Sequence, residues 1–255
     1  MEAQLAPFGA ALLDRAAIRP GERVRDIGCG GGWTTRRIAA AVGPSGLAMG
    51  LDISPALVAE ATRRAEGLPQ LRFLAGDAAS ASPEGGPFDR LVSRFGVMFF
   101  PDPPAAFRHL ASLLAPGARL DLAVWAEPRR NPWMMELQRL VGAHVELPQV
   151  DPLGPGPFQL SAPAFQQRLL EGAGFTAIDR QLLERPILVG GPGAKPAAAA
   201  AFALGAFSVG ELAAAAGPDV LAAVTADLES LYAGLATDAG VPMDAAVWLI
   251  SAEKV

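Results

Sequence analysis

At 255 residues, 51% hydrophobic and 18% charged, the chain has the composition of a packed globular protein, sized for one α/β domain with an elaborated tail; a disordered chain is excluded. A formal net charge of -5 and a pI near 5.1 remove the general attraction to phosphate backbones, so no nucleic-acid partner is expected. Its one cysteine, Cys29, allows neither an intramolecular disulfide nor a cysteine zinc site, and no metal is expected. The N-terminus lacks a basic signal-peptide start, and the most apolar later stretch, 197–209, has 13 residues where a bilayer needs roughly 18 to 20. A cytoplasmic protein without integral membrane association is the expectation.

Taken in chain order, strand-like apolar runs alternate with helix-like segments, which implies parallel strands joined by helical crossovers. Residues 4–18 read as a helix closed by Pro20-Gly21, and 23–27 as the first strand. A glycine run then leads into a helix over 34–42. Residues 46–53 give strand two, 55–66 a helix, 71–75 strand three and 88–93 strand four. Asp102-Pro103-Pro104 opens another helix, since aspartate caps well and proline is tolerated in a first turn. Its inward face is Phe107, Leu110 and Leu114, which leaves His109 pointing to solvent; Pro116-Gly117 stops it, and 119–125 is strand five.

From Ala126 to about Gln159 the alternation breaks into a proline- and tryptophan-bearing stretch that reads as a lid or binding loop. Residues 161–172 read as a helix capped by Ser161, 175–189 contain strand six and 244–255 strand seven, which makes a seven-stranded sheet. Between the last two strands lies an alanine-rich helical region, Pro196 to Ala239, broken at Gly217-Pro218, which could pack over the sheet or offer a homodimer face.

The chemistry concentrates after strand one, in Asp26-Ile27-Gly28-Cys29-Gly30-Gly31-Gly32-Trp33. A turn without Cβ atoms can take positive φ and bring its N–H groups close to a ligand at the start of a helix. Asp52 ends strand two 20 residues after Gly32, the spacing at which a carboxylate can bind two ribose hydroxyls. A dinucleotide fingerprint would need glycine at its sixth position, where Trp33 or Thr35 stands instead. Asp26, two residues before the first glycine, suits an ammonium group and would repel a pyrophosphate. The near end of the ligand therefore reads as cationic.

On these residues the sequence resembles the class I S-adenosylmethionine-dependent methyltransferases. Val24 to Gly32 looks like their motif I, Gly50-Leu51-Asp52-Ile53-Ser54 like the next motif, and Gly76-Asp77-Ala78 like the adenine-contacting position. Phe88 to Ser93 looks like the fourth-strand motif, and Leu114 to Leu120 like the turn before strand five. The resemblance covers roughly 20–125 and is closest to the ubiquinone/menaquinone-biosynthesis-like small-molecule branch, through Ser93-Arg94-Phe95-Gly96-Val97-Met98-Phe99-Phe100, Trp125 and Asn131-Pro132-Trp133. Two departures stand out. Ala118 replaces a usual glycine, and Arg25 replaces an apolar residue in strand one, so Arg25 must find a partner or reach the surface.

The resemblance implies one methyltransferase domain over 1–255, with a cofactor-binding core at 20–125, a substrate lid at 126–160 and a helical insertion at 190–240. Its fold would be a Rossmann-like, mostly parallel seven-stranded sheet with helices on both faces and strand seven antiparallel. The implied cofactor is S-adenosyl-L-methionine, leaving as S-adenosyl-L-homocysteine, with contacts from Asp26, Gly28, Cys29, Gly30, Gly32, Asp52, Ile53, Ser54, Gly76, Asp77, Ala78, Ser93, Arg94 and Phe95. The acceptor would be a small molecule methylated at O, N or C. Met98, Phe99, Trp125, Trp133, Met134 and Phe158 supply apolar surface for it, and His144, in the lid, is the candidate base if the acceptor must lose a proton. Two other readings stay open: an NAD(P)-dependent oxidoreductase on the generic strand-loop-helix, and a protein that binds S-adenosylmethionine without transferring its methyl.

Overall fold

The computed structural model describes residues 2–65, 67–82, 85–149, 151 and 154–255. Seven strands form one sheet in the order β3-β2-β1-β4-β5-β7-β6: β1 (Arg23–Ile27), β2 (Leu47–Asp52), β3 (Leu71–Ala75), β4 (Phe88–Arg94), β5 (Leu114–Trp125), β6 (Phe175–Val189) and β7 (Val241–Lys254). β1 pairs in parallel with β2 and β4, β2 with β3 and β4 with β5, whereas β7 runs antiparallel to β5, Trp125 opposite Val247. The α/β expectation with an antiparallel seventh strand is met.

The helices are α1 (Glu2–Ala16), α2 (Trp33–Val42), α3 (Pro55–Arg63), α4 (Pro103–Ser112), α5 (Pro132–Gly142), α6 (Pro163–Gly172), α7 (Pro196–Ala206), α8 (Ser208–Ala215) and α9 (Pro218–Leu235). The chain divides into two compact units. A sheet unit holds Phe8–Trp125, Pro152–Leu183 and Val247–Val255; a helical unit holds Met1–Pro7, Ala126–Asp151 and Glu184–Ala246.

In the sheet unit, β1, β2 and β4 are buried along nearly their whole length, as strands covered on both faces must be. Chain order reverses between β1 and β4, and the crevice outside the carboxyl ends of those strands is where such sheets hold ligands. The sheet also carries buried charge. Asp121 accepts from Arg90, Arg119 and the Ser251 hydroxyl, while Arg90 reaches Glu22 as well. Each of these ions has a counter-ion, without which burial would be costly.

In the helical unit, Asn131 joins the chain leaving β5 to the start of β7: its amide donates to Ala126 O at 3.0 Å and Ala246 O at 3.2 Å, and its oxygen accepts from Ala246 N. α5 and the alanine-rich helices pack there, with Trp133 edge-on to Phe207 at 5.4 Å.

Several sequence expectations need correction. The lid-like stretch is not structureless, because α5 runs through it with Trp133, Met134, Leu137, Leu140 and Val141 on one buried stripe; Val150, Pro152 and Leu153 of that stretch, like Glu66 at the end of the third predicted helix, lie outside the described residues. Ser161 does not cap α6, which starts at Pro163 after Ala162. β5 begins at Leu114 and takes in Pro116-Gly117, past an irregularity in its pairing with β4. The alanine-rich region also breaks at Phe207. His109 does not point to solvent: its Nε2 lies 3.0 Å from Ala81 O.

Candidate functional site

The site is built at the carboxyl ends of β1 to β4, within the sheet unit. β1 ends in the glycine turn, whose first two amides, Gly28 and Cys29, both donate to Leu51 O at 2.8 and 3.0 Å and so pin the turn to β2. Gly28 has φ 69° and lies against Gly96: a Cβ on Gly28 would sit 2.6 Å from Gly96 Cα, and one on Gly96 2.5 Å from Ile27 O. Only a glycine pair lets the turns after β1 and β4 meet backbone to backbone. Around Gly30, by contrast, there is open space.

Asp52, half-buried at the end of β2, accepts from Gly30 N at 2.8 Å through Oδ2 and from Ser54 N at 2.9 Å through Oδ1. One carboxylate thus shapes both loops, and with about four lone-pair sites it keeps acceptor capacity for two more donors. Ser54 Oγ caps α3 by accepting from Leu57 N, and Ile53 is 75% exposed between them.

Asp26 lies beneath the turn, fully buried. Thr35 Oγ1 donates to its Oδ2 at 2.7 Å, and its Oδ1 has no hydrogen-bond partner among the described residues. Burial, partly opposed by the Thr35 hydrogen bond and the nearby Arg94, raises its carboxyl from 3.8 to about 7. Burial also pushes the Cys29 thiol well up, so it is an inert packing group.

After β3, Gly76 N donates to Asp52 O at 2.9 Å and the chain turns tightly: Ala79 N bonds Asp77 Oδ1 at 2.8 Å, and Ser80 N and Ala81 N bond Asp77 O. Asp77 is exposed and Ala78 half-buried. After β4, Ser93 is fully buried; its hydroxyl donates to Ile27 O at 2.8 Å and accepts from Gly96 N at 3.2 Å, so it clasps the two turns together instead of presenting itself to a ligand. Phe95 holds φ 65° and stacks on Trp125 at 4.3 Å and 12°, with Phe8 edge-on to both. A bulky side chain in left-handed backbone is strained, and such strain concentrates at functional sites.

Asp26, the glycines, Asp52, Gly76, Asp77, Arg94 and Phe95 therefore lie together at the carboxyl ends of β1 to β4. The side chains expected to take the acceptor divide. Phe99 is 53% exposed and Phe158 half-buried, but Met98, Trp125, Trp133 and Met134 are at most 5% exposed and serve as packing. In the helical unit Trp133 Nε1 also donates to Asn131 Oδ1, and the exposed His144 ring bonds Asp227 at 2.8 Å. Trp33, Thr35 and Gly96 were missed as site residues. Trp33 opens α2 with the Arg37 and Arg94 guanidinium groups over its ring at 3.7 and 4.8 Å; its place directly after the glycines was the available signal.

Residues 24–117 match the methyltransferase domain family. Nocamycin O-methyltransferase of Saccharothrix syringae is 37% identical over 120 residues, covering 46% of this chain and 42% of that protein. Aklanonic acid methyltransferase of a Streptomyces species is 34% identical over 116 residues, 45% of this chain and 53% of that one. The chain thus spans about half the length, or less, of these curated relatives. Among solved structures, the YcgJ protein of Bacillus subtilis superposes with a TM-score of 0.63 at 21% identity, covering 97% of this chain and 98% of that one, and shows the same fold. The methyltransferase domain match takes in β1 to β4 and every turn that forms the site.

Proposed function

We propose that the chain transfers a methyl group from S-adenosyl-L-methionine to an O, N or C atom of a small-molecule acceptor. The observation that carries this reading is the pairing of Asp52, with acceptor capacity toward two hydroxyls, and Asp26, whose buried Oδ1 has no partner among the described residues. A buried acceptor left unbonded calls for a donor, and an ammonium group supplies one. Asp26 and the Gly28 to Gly32 turn would then hold the amino-acid end, Asp52 the sugar, and Ile53 with Asp77 and Ala78 the base. Once ionised, Asp26 would repel a pyrophosphate where it attracts an ammonium group, which argues against the oxidoreductase reading.

When bound, the sulfonium compound supplies an already electrophilic methyl group, so the protein needs no nucleophile. What the chain contributes is alignment and exclusion of water. Phe95 suits that role, because its ring is fixed against Trp125 and its main chain donates to Ala123 O at 2.9 Å. The hydrogen bond of His144 with Asp227 gives it an occupation of its own, and no general base is assigned. The run Ser93 to Phe100 supports the ubiquinone/menaquinone-biosynthesis-like branch, and a cytoplasmic setting agrees with a described chain in which no single helix is long and apolar enough to cross a membrane.

Calorimetry of the folded protein with S-adenosylhomocysteine is expected to show saturable binding, and extracts incubated with methyl-labelled S-adenosylmethionine to yield a labelled small molecule. Absence of binding by either nucleoside would overturn the proposal. Binding without any labelled product would favour a non-catalytic binding protein.

Asp26 adds a pH signature. Ammonium binding needs the carboxylate, so affinity should fall as pH drops below about 7, by up to about tenfold per unit, and Asp26→Asn should flatten that dependence. In the ligand-free protein the sign is opposite. The folded-state pKa lies above the ordinary value, so this group's contribution to stability is full below about pH 4 and is lost as pH rises through about 7. Isothermal titrations and urea unfolding at pH 6 and 8 check both arms.

A further inference from the structure

We propose that Arg25 and His109 are positioning residues for the base end of the cofactor, clamping the carbonyl of Ala81 from two sides and so fixing the turn Asp77–Ala81. The inference rests on the reading of the site given above.

Arg25 is the unexpected residue of β1. Side chains alternate along a strand, so with Asp26 turned toward Thr35 of α2, Arg25 faces the opposite side of the sheet. It is 0% exposed, and among the described residues no carboxylate pairs with it. Nη2 donates to Ala81 O at 3.2 Å, the guanidinium lies 6.0 Å from the Phe88 ring centre, and Nε and Nη1 have no partner among the described residues. Burial lowers the group to about 10, which leaves it charged at neutral pH. An unpaired buried cation destabilises a fold, and an apolar side chain here would cost less. Stability therefore does not explain Arg25; its hydrogen bond to Ala81 O does.

That bond reaches a carbonyl already held by His109 Nε2 at 3.0 Å from α4. A carbonyl has two lone pairs, and here both are used. Ala81 in turn donates its N–H to Asp77 O at 2.8 Å, so fixing Ala81 fixes the far end of the turn. The near end is tied through Gly76 N to Asp52 O. Among the described residues, Arg25 and His109 make the only hydrogen bonds joining 77–82 to other elements. A turn ordered before the ligand arrives spares the entropy of ordering it on binding.

The test uses Arg25→Met, His109→Leu and His109→Gln in the full chain, with three measurements: hydrogen exchange of the 79–81 amides without ligand, affinity for S-adenosylhomocysteine, and melting temperature. Arg25→Met should exchange about tenfold faster and bind about tenfold more weakly while melting no lower than the parent. A merely structural residue would lower the melting temperature together with the affinity. His109→Leu should loosen the turn in the same way, and His109→Gln, which keeps a donor, should restore it. If Arg25→Met does not fold, the two His109 variants decide alone. Parental exchange and affinity in the leucine and methionine variants would overturn the clamp, as would affinity loss that merely follows melting temperature. A parent protein that binds no S-adenosylhomocysteine would refute the proposed function, whereas ligand-free exchange would still decide whether the clamp holds the turn.

Discussion

Asp52→Ala is expected to weaken S-adenosylhomocysteine binding about 100-fold, roughly 3 kcal/mol, as measured by calorimetry. Hydrogen bonds to a charged acceptor are worth about 1.5 to 3 kcal/mol, and the ribose would lose them directly. The variant also strips Gly30 N and Ser54 N of the oxygens that hold the two loops in register, so the cradle loses shape as well as charge. Asp52→Asn keeps one carbonyl oxygen and should fall between the parent and the alanine variant. An alanine variant that binds like the parent would remove the sugar assignment, whatever else the crevice holds.

The second large effect is steric. Gly28→Ala is expected to destabilise the protein by about 4 kcal/mol in urea unfolding, since its Cβ would sit 2.6 Å from backbone that cannot swing away, at φ 69°. Gly96→Ala should cost less, about 2 to 3 kcal/mol, because it meets Ile27 O at 2.5 Å without the penalty of positive φ. Gly30→Ala, with φ 53° but open space around it, should cost only about 1 kcal/mol. This ranking isolates the meeting of the β1 and β4 turns as the cause. Equal stability of all three variants would show that the turns part freely.

Much of this was legible in the sequence. β1, β3 and β6 fall within their predicted bounds because glycines and prolines punctuate their ends, although only β1 is buried and the edge strands β3 and β6 are largely open to solvent. The glycine turn and Asp52 were readable from spacing alone. α5 was legible too, in the apolar positions 133, 134, 137, 140 and 141, but Asn131-Pro132 and the prolines beyond obscured it. Other features could not be read. His109 lies off the apolar face of its own helix, and its partner is a main-chain carbonyl of a distant loop, which no side-chain pattern encodes. Arg25 announced its need for a partner without indicating which. Met98, Trp133 and Met134 show that apolar composition alone does not separate a pocket wall from ordinary core packing.

The indole of Trp33 gives this crevice an optical reporter. With the guanidinium groups of Arg37 and Arg94 over its ring, its emission depends on charges within a few ångströms. Any anionic end of a ligand that draws Arg94 aside changes that field, so ligand arrival becomes visible in real time without a label.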